Sequence, residues 1–332
     1  MNRQAFFVLT LALACSRQTP APGEAPASPS ASDPFVAPAA TTTSATPAAT
    51  SSPMSTMKLL DPGRPPRHRL RYAWRADRKE QLAVDLRTAT STEIPGEKPA
   101  EVPLPPLHIV IAIDPQNVST EGSLHYSWRV TSAIVAESQG TPSQVADGMR
   151  SEVSVIEHLS GVAEVTAQGL ATDVAIDPGS VTDAGATGQM VEQVRQILRD
   201  LAAPFPDEDV GRGARWEKIS QLASRDARIT QTDTFSLIDL AGEKGTLDDI
   251  LAQTAPPQNL EGPGGGPGAQ ARLESMLASG DAKTHFDLSH LAPDSRFDGT
   301  TTMVVSSQPS IDKPRRLTMT MRIEIVLSGA AR

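Results

Sequence analysis

Hydrophobic and polar residues alternate along most of the chain after residue 69, as expected of β-strands with one buried face. The last run shows the pattern most clearly, with apolar residues on one side at Leu317, Met319, Met321, Ile323, Ile325 and Leu327. Runs with the same period cover residues 69–76, 82–86, 107–113, 124–130, 214–223, 228–242, 283–290 and 298–307. Strands of this kind predict an antiparallel sheet whose other face is solvated.

Two segments have the period of amphipathic helices instead. The first begins with Thr141 as the N-cap of a capping box and Pro142 at the first helical position. Its apolar stripe comprises Val145, Met149, Val153, Ile156 and Leu159. The second begins near Thr187 and is ended by Pro204. A further short helix is predicted over 271–279.

The order of these elements predicts the fold class. Strands do not alternate regularly with helices, which disfavours a parallel α/β fold. We therefore expect an α+β fold dominated by β-strands, either a curved antiparallel sheet or an open β-barrel. The two helices would pack against the sheet or lie across its mouth as a lid. Hairpin turns are predicted at Gln168-Gly169 and at Gly242.

Both tyrosines of the chain and two of its three tryptophans lie in two similar segments, 70–75 and 124–129, which are 54 positions apart. They indicate a duplicated unit or paired strands, although aromatic residues also favour strands in general. A candidate face for a hydrophobic ligand comprises Tyr72, Trp74, Tyr126, Trp128, Met319 and Met321. Methionine side chains adapt to varied apolar ligands. The alternative is that these residues form a closed core.

The N-terminal segment predicts an export signal over residues 1–14. Arg3 precedes an apolar run over 5–13, which is too short to span a bilayer. The run ends in Leu-Ala-Leu-Ala-Cys, which resembles the lipobox of bacterial lipoproteins. The resemblance implies cleavage after Ala14 and acylation of Cys15, and the serine that follows favours the outer membrane. An ordinary signal peptide that contains a cysteine is the alternative.

The chain after this cysteine predicts a tether followed by one folded domain. Residues 17–57 are rich in Pro, Ala, Ser and Thr and have too few large apolar residues to form a core. Fully extended, they reach on the order of 100 Å. The predicted division is 1–14 signal peptide, 15–57 lipidated cysteine and tether, and 58–332 a single β-rich domain.

Composition and motifs argue against several classes of chemistry. The net charge of −9 disfavours binding to nucleic acid, and a single cysteine allows no internal disulfide. None of the six histidines has the spacing of a metal site, and no nucleophile elbow or phosphate loop occurs. The closest histidine cluster is "HFDLSH", where a strand would place His285 and Asp287 on one face and His290 on the other. We therefore predict no catalytic residue, no metal and no cofactor.

A longer motif resembles an uncharacterised family of predicted bacterial lipoproteins. The motif "FPDEDVGRGARWEKISQL" covers residues 205–222, and its likeness depends on Gly211, Gly213 and Trp216. The family carries no known activity. In physical terms, the glycines permit backbone torsions that a side chain forbids, and Trp216 anchors the strand in the core.

These observations predict an envelope lipoprotein, held at the membrane by its lipid anchor, that binds a lipid or other hydrophobic ligand inside the curved sheet. A structural module that binds an envelope protein at the end of the tether is the first alternative. A hydrolase without a recognisable motif is the second.

Overall fold

The computed structural model describes residues 55–96, 99–137, 141–177, 186–223, 227–260, 270–308 and 315–331. The predicted signal peptide, Ala14, Cys15 and the tether up to residue 54 lie outside this range. Two helices are described, α1 (Ser143–Ile156) and α2 (Ala186–Arg199). The first seven strands are β1 (Ser55–Asp61), β2 (Glu80–Glu93), β3 (Ala100–Pro103), β4 (Leu107–Val118), β5 (Leu124–Val135), β6 (Ser160–Val165) and β7 (Ala171–Ile176). The other seven are β8 (Arg215–Ala223), β9 (Arg228–Ala241), β10 (Lys244–Ala255), β11 (Gln258–Leu260), β12 (Gln270–Asp287), β13 (Asp294–Gln308) and β14 (Arg315–Ala331).

All fourteen strands belong to one antiparallel sheet. Their order is β1-β8-β9-β10-β12-β13-β14-β2-β4-β5-β6-β7, with β11 paired to β12 and β3 to β2. The sheet curves but does not close, so the fold confirms the predicted α+β class with a curved antiparallel sheet and two helices. Strand β1 begins at Ser55, so the last three residues assigned to the tether belong to the sheet. Neither described helix has the length and apolar character needed to cross a membrane.

The connection between β1 and β2, which we call the strap (residues 62–76), corrects one predicted strand. Its side chains alternate as expected, with Leu70, Tyr72 and Trp74 buried. Its backbone hydrogen bonds, however, go to three separate segments, pairing His68 with Val210, Tyr72 with Ala167 and Ala73 with Leu288. The strap therefore forms no ladder, and its aromatic residues are not paired with those of β5.

Two helix predictions are also corrected. The N-cap of α1 is Pro142, with no side-chain hydrogen bond to the first turn, because the Thr141 hydroxyl donates to the Pro103 carbonyl at 3.0 Å. Residues 271–279 belong to β12, which pairs with β10 on one side and β13 on the other. Pairing on both sides outweighs the helical preference of this segment. The turns at Gly169 and Gly242 are as predicted, and both glycines have positive φ.

The buried face of β8–β14 is layered. An aromatic core lies at one end, where the rings of Phe286, Phe205, Trp216 and Phe235 are in contact one after the other and Tyr72, stacked on Trp74, packs against Phe205. A separate apolar cluster at the other end includes Leu222, Ile229, Leu273, Met276, Met303 and Met321, with Met319 packed against it. Next to the aromatic core, three adjoining cross-strand rows contain buried or half-buried polar residues, which we call the polar belt: Lys218, Ser220, Gln231, Asp233, Asp249 and Gln253.

Candidate functional site

The six residues of the candidate hydrophobic face do not form one surface. Tyr72 and Trp74 stack on each other on the strap, with ring centroids 4.1 Å apart. Tyr126 and Trp128 lie on β5, while Met319 and Met321 belong to the apolar cluster at the far end of the sheet. Five of the six are buried in hydrophobic cores, and Met319 is half-buried. The structure therefore does not bring them together around one cavity.

A polar pocket of about 490 Å³ lies instead at the end of the sheet where β9 turns into β10 and β12 leads into β13, which we call the hairpin end. It is lined by residues from four separate parts of the chain, namely Glu80, the 239–246 hairpin, residues 285–294 and residues 329–330. At Gly245 the pocket wall has no room for a side chain, because a Cβ there would lie 2.4 Å from the Phe286 ring.

The histidine cluster lies in this pocket, with one correction to its predicted geometry. His285 and Asp287 share the same side of β12, as expected. The strand ends at Asp287, and a turn closed by the His290 amide donating to the Asp287 carbonyl at 3.0 Å follows. His290 therefore lines the same pocket rather than the opposite face. The sequence prediction was wrong because it continued the strand through residue 290.

Both histidine rings are held by polar neighbours. The Nδ1 atom of His285 lies 3.1 Å from the Thr246 hydroxyl. The His290 ring lies between two charged groups: its Nδ1 is 3.6 Å from a Glu80 oxygen, and its Nε2 is 3.0 Å from Arg78 Nη1. These contacts fix the ring orientations at the pocket wall.

Two of the pocket carboxylates have structural roles. Glu80 is 4 % exposed and accepts hydrogen bonds from the backbone amides of Leu291 and Ala292 at 2.8 to 3.1 Å. Asp287 accepts from the amide and hydroxyl of Ser289 at 2.9 and 2.7 Å. Partial burial alone would raise the pKa of Asp287, but these hydrogen bonds, with the charges of His290 and Lys244, hold that pKa below its ordinary value. Asp287 is thus ionised and fixed at neutral pH.

The charge of the pocket favours a cationic ligand. Its lining contains four carboxylates, Glu80, Asp239, Asp287 and Asp294, against the single ammonium of Lys244. Even when the guanidinium of Arg78 beside His290 is added to the ammonium of Lys244, the carboxylates outnumber these two cations. Within the described residues, no three histidine, cysteine or acidic side chains are arranged to hold a metal ion. An organic cation, such as a lysine or arginine side chain, fits this lining better than an anion does.

Sequence reasoning missed most of this pocket. Glu80 carried a usable signal, because it precedes Leu82 and Val84 on the inward side of an alternating strand, where a charge requires a partner. Asp239 and Lys244 carried none, since charged residues beside a hairpin turn are most often solvated. Only the register of the sheet brings these residues beside His285 and His290.

Neither a scan against models of known protein families nor a search of curated proteins gives a match for this chain. The resemblance of residues 205–222 to predicted lipoproteins therefore stays a prediction from the sequence.

Proposed function

We propose that this chain is a lipid-anchored protein of the bacterial cell envelope that binds a cationic segment of a partner protein in the pocket at the hairpin end. The observation that carries the proposal is the pocket itself, in which an excess of carboxylates from separate strands surrounds a space large enough for one or two side chains. Its histidines and structural carboxylates are held in place before a ligand arrives, which reduces the entropic cost of binding.

The path of the chain supports this proposal. Ser55, the first residue of β1, is paired with Ser220 of β8. Ser220 lies in the same cross-strand row as Gln231 of β9 and Gln253 of β10. Lys244 in the pocket lies nine residues before Gln253 on β10, or about 30 Å away at the rise of an extended strand. Strand β1 runs from Ser55 toward the pocket, so a tether preceding it would join the domain at the opposite side.

A single exposed ion pair contributes at most about 1 kcal/mol, so a useful affinity requires several contacts at once. We therefore expect the full chain to bind a labelled pentalysine peptide, with an affinity that falls as salt is added. A pentaglutamate peptide should not bind. Fluorescence anisotropy of the labelled peptide measures both results.

The pocket is tested with Asp239→Asn, which removes one exposed carboxylate from the β9–β10 hairpin. We expect the pentalysine affinity to fall about fivefold, as the loss of one exposed ion pair implies. The matched control is Asp173→Asn, an equally exposed change on the edge strand β7. Equal losses in the two variants would place binding elsewhere and refute the pocket as its site.

Carriage of a hydrophobic ligand is the second candidate, and the methionine-rich cluster of β12–β14 is the observation that favours it. Met276, Met303 and Met319 occupy one cross-strand row, and Met321 lies in the next. An apolar ligand would enter by displacing these flexible side chains. Native mass spectrometry of the full chain distinguishes the candidates, because a carrier retains lipid and a protein-binding module does not.

A further inference from the structure

The polar belt contains two buried carboxyl groups on neighbouring strands. Asp233 of β9 is 0 % exposed and Asp249 of β10 is 3 % exposed. In the β9–β10 ladder Asp233 is opposite Leu251, two residues from Asp249, so the two side chains are diagonal neighbours on the same buried face. Two ionised carboxylates at diagonal positions, about 7 to 8 Å apart, would repel each other strongly when both are buried away from water.

A chain of hydrogen bonds ends at this pair. The amide of Gln253 donates to the Gln231 side-chain oxygen at 2.7 Å, and the amide of Gln231 donates to Asp233 Oδ1 at 2.7 Å. Both amides therefore point their donors toward Asp233. The second oxygen of Asp233, Oδ2, is buried and has no hydrogen-bond partner among the described residues. A buried oxygen in this position calls for a proton or a donor.

The ammonium nearest to Asp233 also interacts with another carboxylate. Lys218 of β8 is opposite Asp233 in the sheet, but its ammonium lies 3.4 Å from Asp200, which directly follows α2. Asp233 thus has two carboxyl neighbours, Asp249 and Asp200, and shares its ammonium neighbour, Lys218, with Asp200. Burial raises the pKa of Asp233 well above its ordinary value, and the neighbouring Asp249 raises it further. Burial also raises the pKa of Asp200, although Lys218 opposes that change.

We propose that Asp233 and Asp249 hold one proton between them at neutral pH, and that this shared proton fastens β9 to β10 inside the sheet. Loss of the proton leaves two buried negative charges on adjacent strands. The polar belt therefore stabilises the sheet more in acid than in alkali. This pH dependence is independent of the pocket at the hairpin end.

The sign of the effect follows from linkage. Since the folded-state pKa lies above the unfolded-state value, the native domain binds more protons than the unfolded chain between the two values. The contribution of the pair to stability is complete below the unfolded-state pKa and is lost as the pH rises through the folded-state pKa. The slope of this loss corresponds to about one proton per molecule.

Infrared spectroscopy of the full chain tests the proposal directly. At neutral pH we expect a carbonyl band from a protonated carboxylic acid, and we expect Asp233→Asn to remove it. The amide introduced by this variant can still accept from Gln231 and donate to Asp249, so the fold should be kept. The exposed variant Asp281→Asn, on the solvent face of β12, should leave the band unchanged.

Chemical unfolding across pH gives the second readout. Wild type and Asp281→Asn should lose stability toward alkaline pH, whereas Asp233→Asn should lose that slope. The absence of a protonated carboxyl band in wild type would overturn the proposal, and so would a band that persists in Asp233→Asn. If Asp233→Asn does not fold, side-chain carboxyl ¹³C titration of wild type decides, since two ionised carboxylates at neutral pH would refute a shared proton.

Discussion

The two tyrosines of the chain differ in how their hydroxyl groups contribute to stability. The Tyr72 hydroxyl accepts a hydrogen bond from the Ala203 amide at 2.9 Å, which joins the strap to the segment after α2. The Tyr126 hydroxyl is buried and has no hydrogen-bond partner in the part of the chain that the structure describes, and burial raises the pKa of this phenol above its ordinary range. Tyr72 therefore contributes through its hydroxyl as well as its ring, and Tyr126 through its ring alone.

We expect Tyr72→Phe to lower the free energy of unfolding by about 1 to 2 kcal/mol, because the buried Ala203 amide loses its acceptor. The matched variant Tyr126→Phe should be neutral or slightly stabilising, since it removes a buried hydroxyl without a partner. Urea unfolding followed by tryptophan fluorescence measures both variants. Similar losses of unfolding free energy in the two variants would contradict the difference in hydrogen bonding between the two hydroxyls.

Sequence alternation identified both tyrosines as inward-facing, and their burial agrees. It could not assign the hydrogen-bond partners of their hydroxyls, because the Tyr72 hydroxyl accepts from the Ala203 amide, which is 131 residues away in the chain. Periodicity is a local signal, whereas the pairing of buried polar atoms depends on contacts that only the folded chain creates.

At the scale of elements, the strap docks on the turn that precedes β8. The Gly211 amide donates to the Pro62 carbonyl, and the Arg64 amide donates to the Arg212 carbonyl, each at 2.9 Å. A Cβ at Gly211 would lie only 1.9 Å from the Arg64 carbonyl oxygen. Gly213 has a positive φ of 82° but open space around it. Of the two glycines singled out in the sequence, only Gly213 has an unusual torsion, while Gly211 is required by close packing.

We expect Gly211→Ala to destabilise the domain more than Gly213→Ala. Backbone atoms must move to admit a side chain at position 211, which costs on the order of 3 kcal/mol. At position 213 the cost is the torsional strain alone, about 1 to 2 kcal/mol. Chemical unfolding of the two variants gives the comparison, and a larger loss at position 213 would contradict the docked arrangement of the strap.

At the scale of the whole molecule, the class of fold was predictable and the pocket was not. Alternating strands are encoded within short segments, so the antiparallel class and the buried face of most strands could be predicted, whereas β10 was not identified as a strand. The pocket is assembled from Glu80, the 239–246 hairpin, residues 285–294 and the end of β14, and strand register alone decides that these meet. The strap was predicted as a strand because its side chains alternate, although its backbone pairs with three segments.

The predicted anchor concerns the molecule as a whole, and acyl labelling tests it. Cells that express the full chain with a radioactive fatty acid should label wild type and not Cys15→Ala. The variant should also leave the membrane fraction, because stable attachment requires the acyl chains. Equal labelling of the two proteins would remove the anchor from the proposal.

The direction of β1 has a mechanical consequence. With Cys15 fixed in a membrane and a partner held at the hairpin end, tension pulls Ser55 one way and the rest of the sheet the other, along the strand axis. The hydrogen bonds between β1 and β8 lie across that axis, so they carry the load together in shear instead of parting one at a time. Strand β1 is thus oriented to resist a force applied through the predicted tether.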